Sequence, residues 1–178
     1  TMTALIKLHL KENLRKNTFI IFGILGGLIS ILVITSGSFS VNSVGADSEY
    51  AQFGFQWVFL TIISSLAAVS LSMGVISNHR EGNSIDILKL HGLDTSNQYL
   101  SLITGNVIVS LIMGLLLTIG MAINILIKSP DTNILGFFPA ALIYLMAPLS
   151  MSIITSLLSM IFSPAITALF GVFITILG

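Results

Sequence analysis

Residues 99–127 read YLSLITGNVIVSLIMGLLLTIGMAINILI, and this stretch decides the fold. It contains no Asp, Glu, Lys or Arg. As an α-helix it rises about 44 Å, which exceeds a hydrocarbon core of about 30 Å. Lipid offers no partners to backbone N–H and C=O groups, so a helix is the expected structure. A strand of a membrane barrel would alternate apolar and polar residues, whereas 111–119 is apolar almost throughout.

Four further segments share this character, at 18–36, 53–77, 134–162 and 165–178, and none contains a charged residue. The whole chain is 54% hydrophobic and only 8% charged, whereas a soluble domain is about 25% charged. The sequence therefore predicts an all-α, polytopic transmembrane helix bundle with about five spans in a single domain, 1–178. The segment 165–178 rises only about 21 Å, so we expect the chain to be truncated within its fifth span.

The loops differ in their basic residues, and this asymmetry predicts the orientation. Most of the basic residues precede the first span or lie between spans two and three: Lys7, Lys11, Arg15, Lys16, Arg80 and Lys89. The loop 37–52 has no Lys or Arg, and only Lys128 lies between spans three and four. By the positive-inside rule, the N-terminus and the loop 78–97 face the cytoplasm. We therefore expect a multi-pass protein of the cytoplasmic (plasma) membrane.

The segment 1–17 is predicted to form an interfacial helix before the first span. Ile6, Leu10 and Leu14 recur every four residues, and a row of basic residues follows the same period beside them. The alternative is a plain basic flank that anchors the first span.

The cytoplasmic loop contains its own helix signals, at 81–92. Asn83 or Ser84 can cap its start, and Gly92 can end it in the left-handed conformation. Thr95 and Gln98 then form a T-x-x-Q capping box that starts the next span. We predict a short, separately capped helix that contacts a partner, and the alternative is a helix that only lies on the membrane surface.

The stretch REGNSIDIL, residues 80–88, resembles the cytoplasmic loop of type-2 ABC transporter (ABC-2) permeases, whose coupling helix seats on the ATPase subunit. The resemblance implies that this coupling helix contacts the ATPase through Glu81, Ser84, Ile85, Asp86 and Leu88. Ile87 takes the first place of the family's apolar pair. The match departs from the family at Gly82, which comes one residue early, and at 91–92, where His-Gly stands in place of a Pro.

A second stretch, LLSMIFSPAITAL at 157–169, looks like the tight cytoplasmic turn between spans four and five of the same family. Ser163 is a good N-cap and Pro164 a good first helical residue, so this turn can be short. The family implies a six-span permease whose second copy or sister subunit completes a dimer on two ATPase subunits. ATP and Mg would be bound by the ATPase partner, with no cofactor in this chain, and the exported cargo would be a lipid, peptide or drug.

Small and polar residues inside the spans are the remaining candidates for helix contacts. Gly23 and Gly27 form a G-x-x-x-G that permits close helix packing or a dimer face. Asn106 and Asn124 are the strongest polar groups within the apolar segments. We expect these amides to bond neighbouring helices, and the alternative is that they line a substrate pathway.

Missing motifs exclude several function classes. Cysteine is absent, no H-E-x-x-H or G-x-x-x-x-G-K-[ST] occurs, and the spans contain no titratable residue that would act as a catalytic base. We therefore expect no enzyme and no metal site, and the zero net charge predicts no nucleic-acid partner. Two alternatives to an exporter remain, an importer-type permease and a non-transporting membrane scaffold or anchor. The importer lacks its downstream Ile-x-Leu-Pro here.

Overall fold

The structure, a computed structural model, describes residues 2–35, 48–81, 84–128 and 137–177. These ranges contain helices and turns but no strand. The helices are α1 (Met2–Arg15), α2 (Asn17–Thr35), α3 (Ser48–Ser72), α4 (Val75–Glu81), α5 (Ser84–Leu90), α6 (Thr95–Lys128), α7 (Phe137–Leu158) and α8 (Pro164–Leu177). The predicted all-α class is confirmed for the described ranges, and the chain has the character of a multi-pass membrane protein.

Fewer helices qualify as spans than the sequence predicts. Gln56–Glu81, Thr95–Ile127 and Phe137–Leu158 are long and apolar enough to cross a membrane. A fourth span is counted when α1 and α2, which meet at a bend of 56°, are taken together. α1 carries four charged residues, so α2 is the apolar part of this pair. α8 is apolar but has only 14 residues. Within the described ranges, three or four helices are therefore long and apolar enough to span a membrane, against the five apolar segments of the sequence.

The molecule buries polar side chains and exposes apolar ones, which is the reverse of a soluble protein. Large apolar side chains exposed on the apolar helices include Ile21, Ile24, Leu32, Leu116, Ile119, Leu142, Ile143, Leu169 and Phe173. Polar side chains buried between helices include Gln56, Ser64, Ser72, Asn106, Ser110, Asn124, Ser152 and Ser156. Apolar exteriors suit lipid, and buried hydroxyls and amides suit hydrogen bonds between helices.

α3 lies at the centre of the bundle and contacts α2, α6, α7 and α8. Its Leu60 belongs to an apolar cluster with Met113, Met121 and Tyr144. The Tyr144 hydroxyl also donates to the backbone carbonyl of Leu60 at 3.2 Å. The apolar core therefore joins α3 to α6 and α7.

Gly26, which lies between the two glycines of the G-x-x-x-G, is the glycine that brings α2 against α6. Gly26 lies so close to Leu117 that a Cβ atom there would overlap its side chain. A Cβ atom on Gly23 or Gly27 would meet nothing within 4 Å. The predicted G-x-x-x-G face therefore packs against no described part of this chain, and its proposed role in a dimer stays a prediction.

The turn between α7 and α8 follows the sequence prediction. The Thr167 amide donates to the Ser163 carbonyl at 3.0 Å, which makes Ser163 the N-cap and Pro164 the first helical residue. Pro148 lies inside α7 and is buried. Pro139 falls in the first turn of α7, where proline is tolerated.

Candidate functional site

The candidate site is the short helix α5 together with the segments that hold it between α4 and α6. α5 ends at Gly92, whose φ is +77°. The amide of Gly92 donates to the Lys89 carbonyl at 2.9 Å, and the amide of Leu93 donates to the Leu88 carbonyl at 3.1 Å. This pair of bonds is a Schellman motif, so the predicted left-handed end of the helix is confirmed. The cap predicted at Asn83, and Gly82 of the family match, lie outside the described residues.

One buried amide, Gln98 of α6, connects three helices. Its Nε2 donates to the carbonyls of Leu93 at 2.8 Å and Ile85 at 3.3 Å. Its Oε1 accepts a hydrogen bond from His79 Nε2 at 3.0 Å. The Gln98 side chain therefore fixes both the start and the end of α5 and ties them to α4.

This role differs from the capping box that the sequence suggests for Thr95 and Gln98. The Gln98 amide donates to the Asp94 carbonyl at 3.0 Å, so Asp94 is the N-cap and Thr95 the first residue of α6. The Gln98 side chain turns toward α5 instead of back to the cap. The capping-box prediction was wrong because tertiary bonds to two carbonyls outweigh one local bond.

α4 is held from the opposite side by the turn that follows α7. A helix leaves its first N–H groups without partners, and α4 begins directly after the break at 73–74. Ser159 Oγ accepts from the amides of Ile76 at 3.0 Å and Ser77 at 3.3 Å. Arg80 Nη1 donates to the Met160 carbonyl at 3.3 Å. The turn resembling the family's cytoplasmic turn thus supports the helix that leads into α5.

The structure divides the predicted contact residues between two environments. Glu81 and Asp86 are exposed, whereas Ser84, Ile85 and Leu88 are half-buried. The apolar side chains that α5 presents outward are Ile87, which is 56% exposed, and Leu90, which is 87% exposed. The sequence did not indicate Leu90 as a contact residue. Ile85 and Leu88 share one helix face by their i, i+3 spacing, but the spacing does not show whether that face is buried or exposed.

A second polar cluster joins α1 to the inside of the bundle. Asn106 Oδ1 accepts hydrogen bonds from His9 Nε2 at 2.8 Å and from Asn13 Nδ2 at 2.9 Å. Asn106 Nδ2 donates to Ser156 Oγ at 3.4 Å. A Cβ atom on Gly105 would come within 2.8 Å of the His9 ring, so this glycine lets α1 approach α6. The cluster fixes α1 against α6 and α7.

The His9 imidazole is favoured in its neutral form. Burial lowers the pKa of His9 below the ordinary value of 6.5, and the positive charge of Lys16 lowers it further. The hydrogen bond that His9 donates to Asn106 and the negative charge of Glu12 act in the opposite direction. The neutral ring can still donate one hydrogen bond to Asn106 through Nε2.

The two asparagines selected from the sequence both bond to neighbouring helices. Asn124 Nδ2 donates to the Ser30 carbonyl of α2 at 3.0 Å, and its Oδ1 is buried without a partner. Neither Asn106 nor Asn124 is among the residues that line the cleft behind α5, which is described next. Both placements agree with the expected role in helix packing.

A cleft of about 750 Å³ lies behind α5, between α1, α6 and the break at 73–74. Its polar lining includes His9, Glu12, Lys16, Asn78, His79 and Ser84. Its apolar lining includes Leu5, Leu8, Leu71, Ile87, Leu88 and Leu102, so Ile87 borders the cleft as well as the exposed face of α5. The basic end of the bundle therefore contains a mixed polar and apolar cleft, one wall of which is α5.

Within the four described ranges, no three His, Asp or Glu side chains lie close enough together to hold a metal ion. Neither the protein-family models nor the curated proteins include a match to this chain. The candidate site is therefore interpreted from its own geometry.

Proposed function

We propose that this chain is the membrane-spanning permease subunit of an ATP-driven ABC transporter, in which α5 receives force from a separate ATPase subunit. The observation that carries the proposal is α5 itself. It exposes Ile87 and Leu90 between the charges of Glu81, Asp86 and Lys89, and it is fastened at both ends by Gln98. A short linker between two spans needs none of these features.

The contacts around α5 support transmission of force. The α4–α5 segment bonds to α6 through Gln98 and to the turn after α7 through Ser159. A displacement of α5 would therefore reach α6 and α7 through hydrogen bonds and not through a loose loop. The apolar segments 18–36, 53–77, 99–127, 134–162 and 165–178 contain no Asp, Glu, Lys or Arg to couple transport to an ion gradient. The proposal therefore assigns the energy source to the ATPase partner.

The proposal predicts that the ATPase binds the exposed side of the α4–α5 segment. Reversing its charges, or replacing its exposed apolar side chains by charged ones, tests this interface. The full chain is co-purified with its candidate ATPase as wild type and as Glu81→Lys/Asp86→Lys and Ile87→Glu/Leu90→Glu double variants. We expect each double variant to lose most of the bound ATPase, because Asp86, Ile87 and Leu90 are exposed on α5 and Glu81 is exposed at the end of α4. Asn97→Lys, on the exposed side of α6, is the matched control and retains the ATPase.

The same preparation distinguishes a transporter from a non-transporting scaffold. In reconstituted vesicles, the transporter's ATP hydrolysis responds to cargo, and Gln98→Leu uncouples hydrolysis from transport while the ATPase stays bound. A complex that assembles through α5 but moves no cargo assigns the chain to the scaffold class. Unchanged ATPase binding in both double variants would refute the docking role of α5.

A further inference from the structure

We propose that the cleft behind α5 binds the headgroup of an aminophospholipid, a lipid that carries both a phosphate and an ammonium group. Glu12 and Lys16 line the same cleft and supply one negative and one positive charge. A zwitterionic headgroup matches this pair, because its ammonium would lie on the carboxylate and its phosphate on the lysine. This inference adds a ligand to the proposed function and does not depend on ATPase binding.

Polar side chains of α4 add further groups to the cleft lining. His79 Nε2 donates to Gln98 Oε1 at 3.0 Å, because the Gln98 Nε2 atom already donates to carbonyls. In this tautomer the His79 Nδ1 atom is an acceptor, so it suits the ammonium group of the lipid. Asn78, on the preceding position of α4, is exposed and adds amide donors to the same lining.

The position of the cleft favours a lipid over a soluble metabolite. Thr18 lines the cleft at the start of α2, and Ile20 and Ile21, which follow it, are exposed apolar residues of the proposed first span. The cleft therefore lies beside the surface where α2 would enter the bilayer. Leu5 and Leu8 of α1 add apolar surface for the glycerol and upper acyl carbons. A volume of about 750 Å³ lies within the usual range for ligand sites.

Native mass spectrometry of the full chain in detergent tests the proposal. Phosphatidylethanolamine and phosphatidylglycerol, which share the phosphate but differ in the ammonium, are titrated separately. We expect the wild type to prefer phosphatidylethanolamine by about threefold to fivefold, as for one partly exposed ion pair. Glu12→Gln should remove this preference, and Lys16→Gln should weaken the binding of both lipids.

Lys11→Gln is the matched control, because Lys11 is an exposed α1 lysine outside the cleft lining. It should bind both lipids as the wild type does, and circular dichroism confirms that each variant keeps its helix content. Equal binding of the two lipids by the wild type, or a preference that survives Glu12→Gln, overturns the proposal. Displacement of the lipid by an equal concentration of soluble phosphoethanolamine would assign the cleft to a soluble ligand and overturn the lipid assignment.

Discussion

His9 and Asn106, 97 positions apart in the sequence, are joined by a 2.8 Å hydrogen bond between the imidazole Nε2 and the amide Oδ1. Asn13 donates to the same oxygen, so one amide of α6 bonds two side chains of α1. Both partners are buried, and Asn13 Nδ2 also lies 2.9 Å from His9 Nε2. Removing the shared acceptor would therefore break both side-chain bonds to α6 and leave these two α1 side chains bonded only to each other.

Replacing Asn106 with Leu should therefore destabilise the protein by about 1–3 kcal/mol, because a buried donor that loses its acceptor is desolvated without compensation. Thermal unfolding in detergent, followed by circular dichroism, measures the effect. Asn97→Leu is the matched control on the exposed side of α6 and should unfold near the wild-type temperature. An Asn106→Leu variant as stable as the wild type would show that the network contributes nothing to stability.

The stability of the protein should rise with pH in the range just below pH 6.5. The pKa of His9 is lowered in the folded state, chiefly by burial, so the unfolded chain binds more protons there. The contribution of neutral His9 is fully present above the unfolded pKa of 6.5 and is lost as the pH falls through the lowered folded pKa. Unfolding temperatures measured between pH 5 and 8 provide the test.

A His9→Gln variant should lose part of this pH dependence, because its side chain does not titrate. His91→Gln is the matched control, since the His91 ring is exposed and donates to the Ile87 carbonyl of α5 at 2.8 Å. It should keep the wild-type slope. An unchanged slope in the His9 variant would assign the pH dependence to other groups.

Replacing Gln98 with Leu should release α5 from both α4 and α6. The substitution removes the donors to Ile85 and Leu93 and the acceptor for His79. Hydrogen exchange of the amides of Gly92 and Leu93 measures the result, and we expect faster exchange with little change in the transmembrane core. Gln98→Glu separates the two functions, because it keeps an acceptor for His79 and removes both donors. Exchange at wild-type rates in both variants would contradict the proposed fastening of α5.

Alanine substitutions should separate the glycine that packs α2 from those that do not. Gly26→Ala places a methyl group against buried Leu117, and we expect a loss of about 1–3 kcal/mol in unfolding free energy. Gly23→Ala and Gly27→Ala meet open space and should be neutral or slightly stabilising, because alanine favours a helix over glycine. Unfolding measurements in detergent on all three variants provide the comparison, and equal effects would contradict the packing of α2.

Self-association of the Gly23 and Gly27 face is a separate measurement. If that face forms the dimer suggested by the sequence, Gly23→Ile/Gly27→Ile should shift the protein from dimer to monomer in detergent without lowering the stability of the monomer. Gly54→Ile, a glycine on α3 with equally open surroundings, is the control. A dimer that persists in the double variant would exclude this face.

The sequence predicts well those features that depend on local chemistry. Apolar runs indicate the helices, Gly92 indicates a left-handed helix end, and Ser163 with Pro164 indicates the start of α8, because each signal acts within a few residues. It predicts poorly whatever depends on distant partners. Gln98 forms its bonds with α4 and α5 instead of capping its own helix, and Gly26 is selected over Gly23 by Leu117 of another helix.

The same limit applies to the candidate site. Glu81 and Asp86 are exposed, as a contact helix requires, but Ile85 and Leu88 are half-buried and Leu90 is the most exposed apolar side chain of α5. His9 and Asn13 gave no signal as bonding partners, because they lie in a segment whose period suggests only an amphipathic helix. Their partner lies more than 90 residues away.

α6 is continuous over 34 residues, which is about 51 Å. It is therefore longer than a hydrocarbon core of about 30 Å by about a dozen residues. The surplus lies at its polar first turns, where Gln98 and Asn106 bond to the helices beside them. A continuous helix that is held at one end tilts as a unit. A tilt imposed near Gln98 would therefore be carried along α6 to Ile127 at its other end.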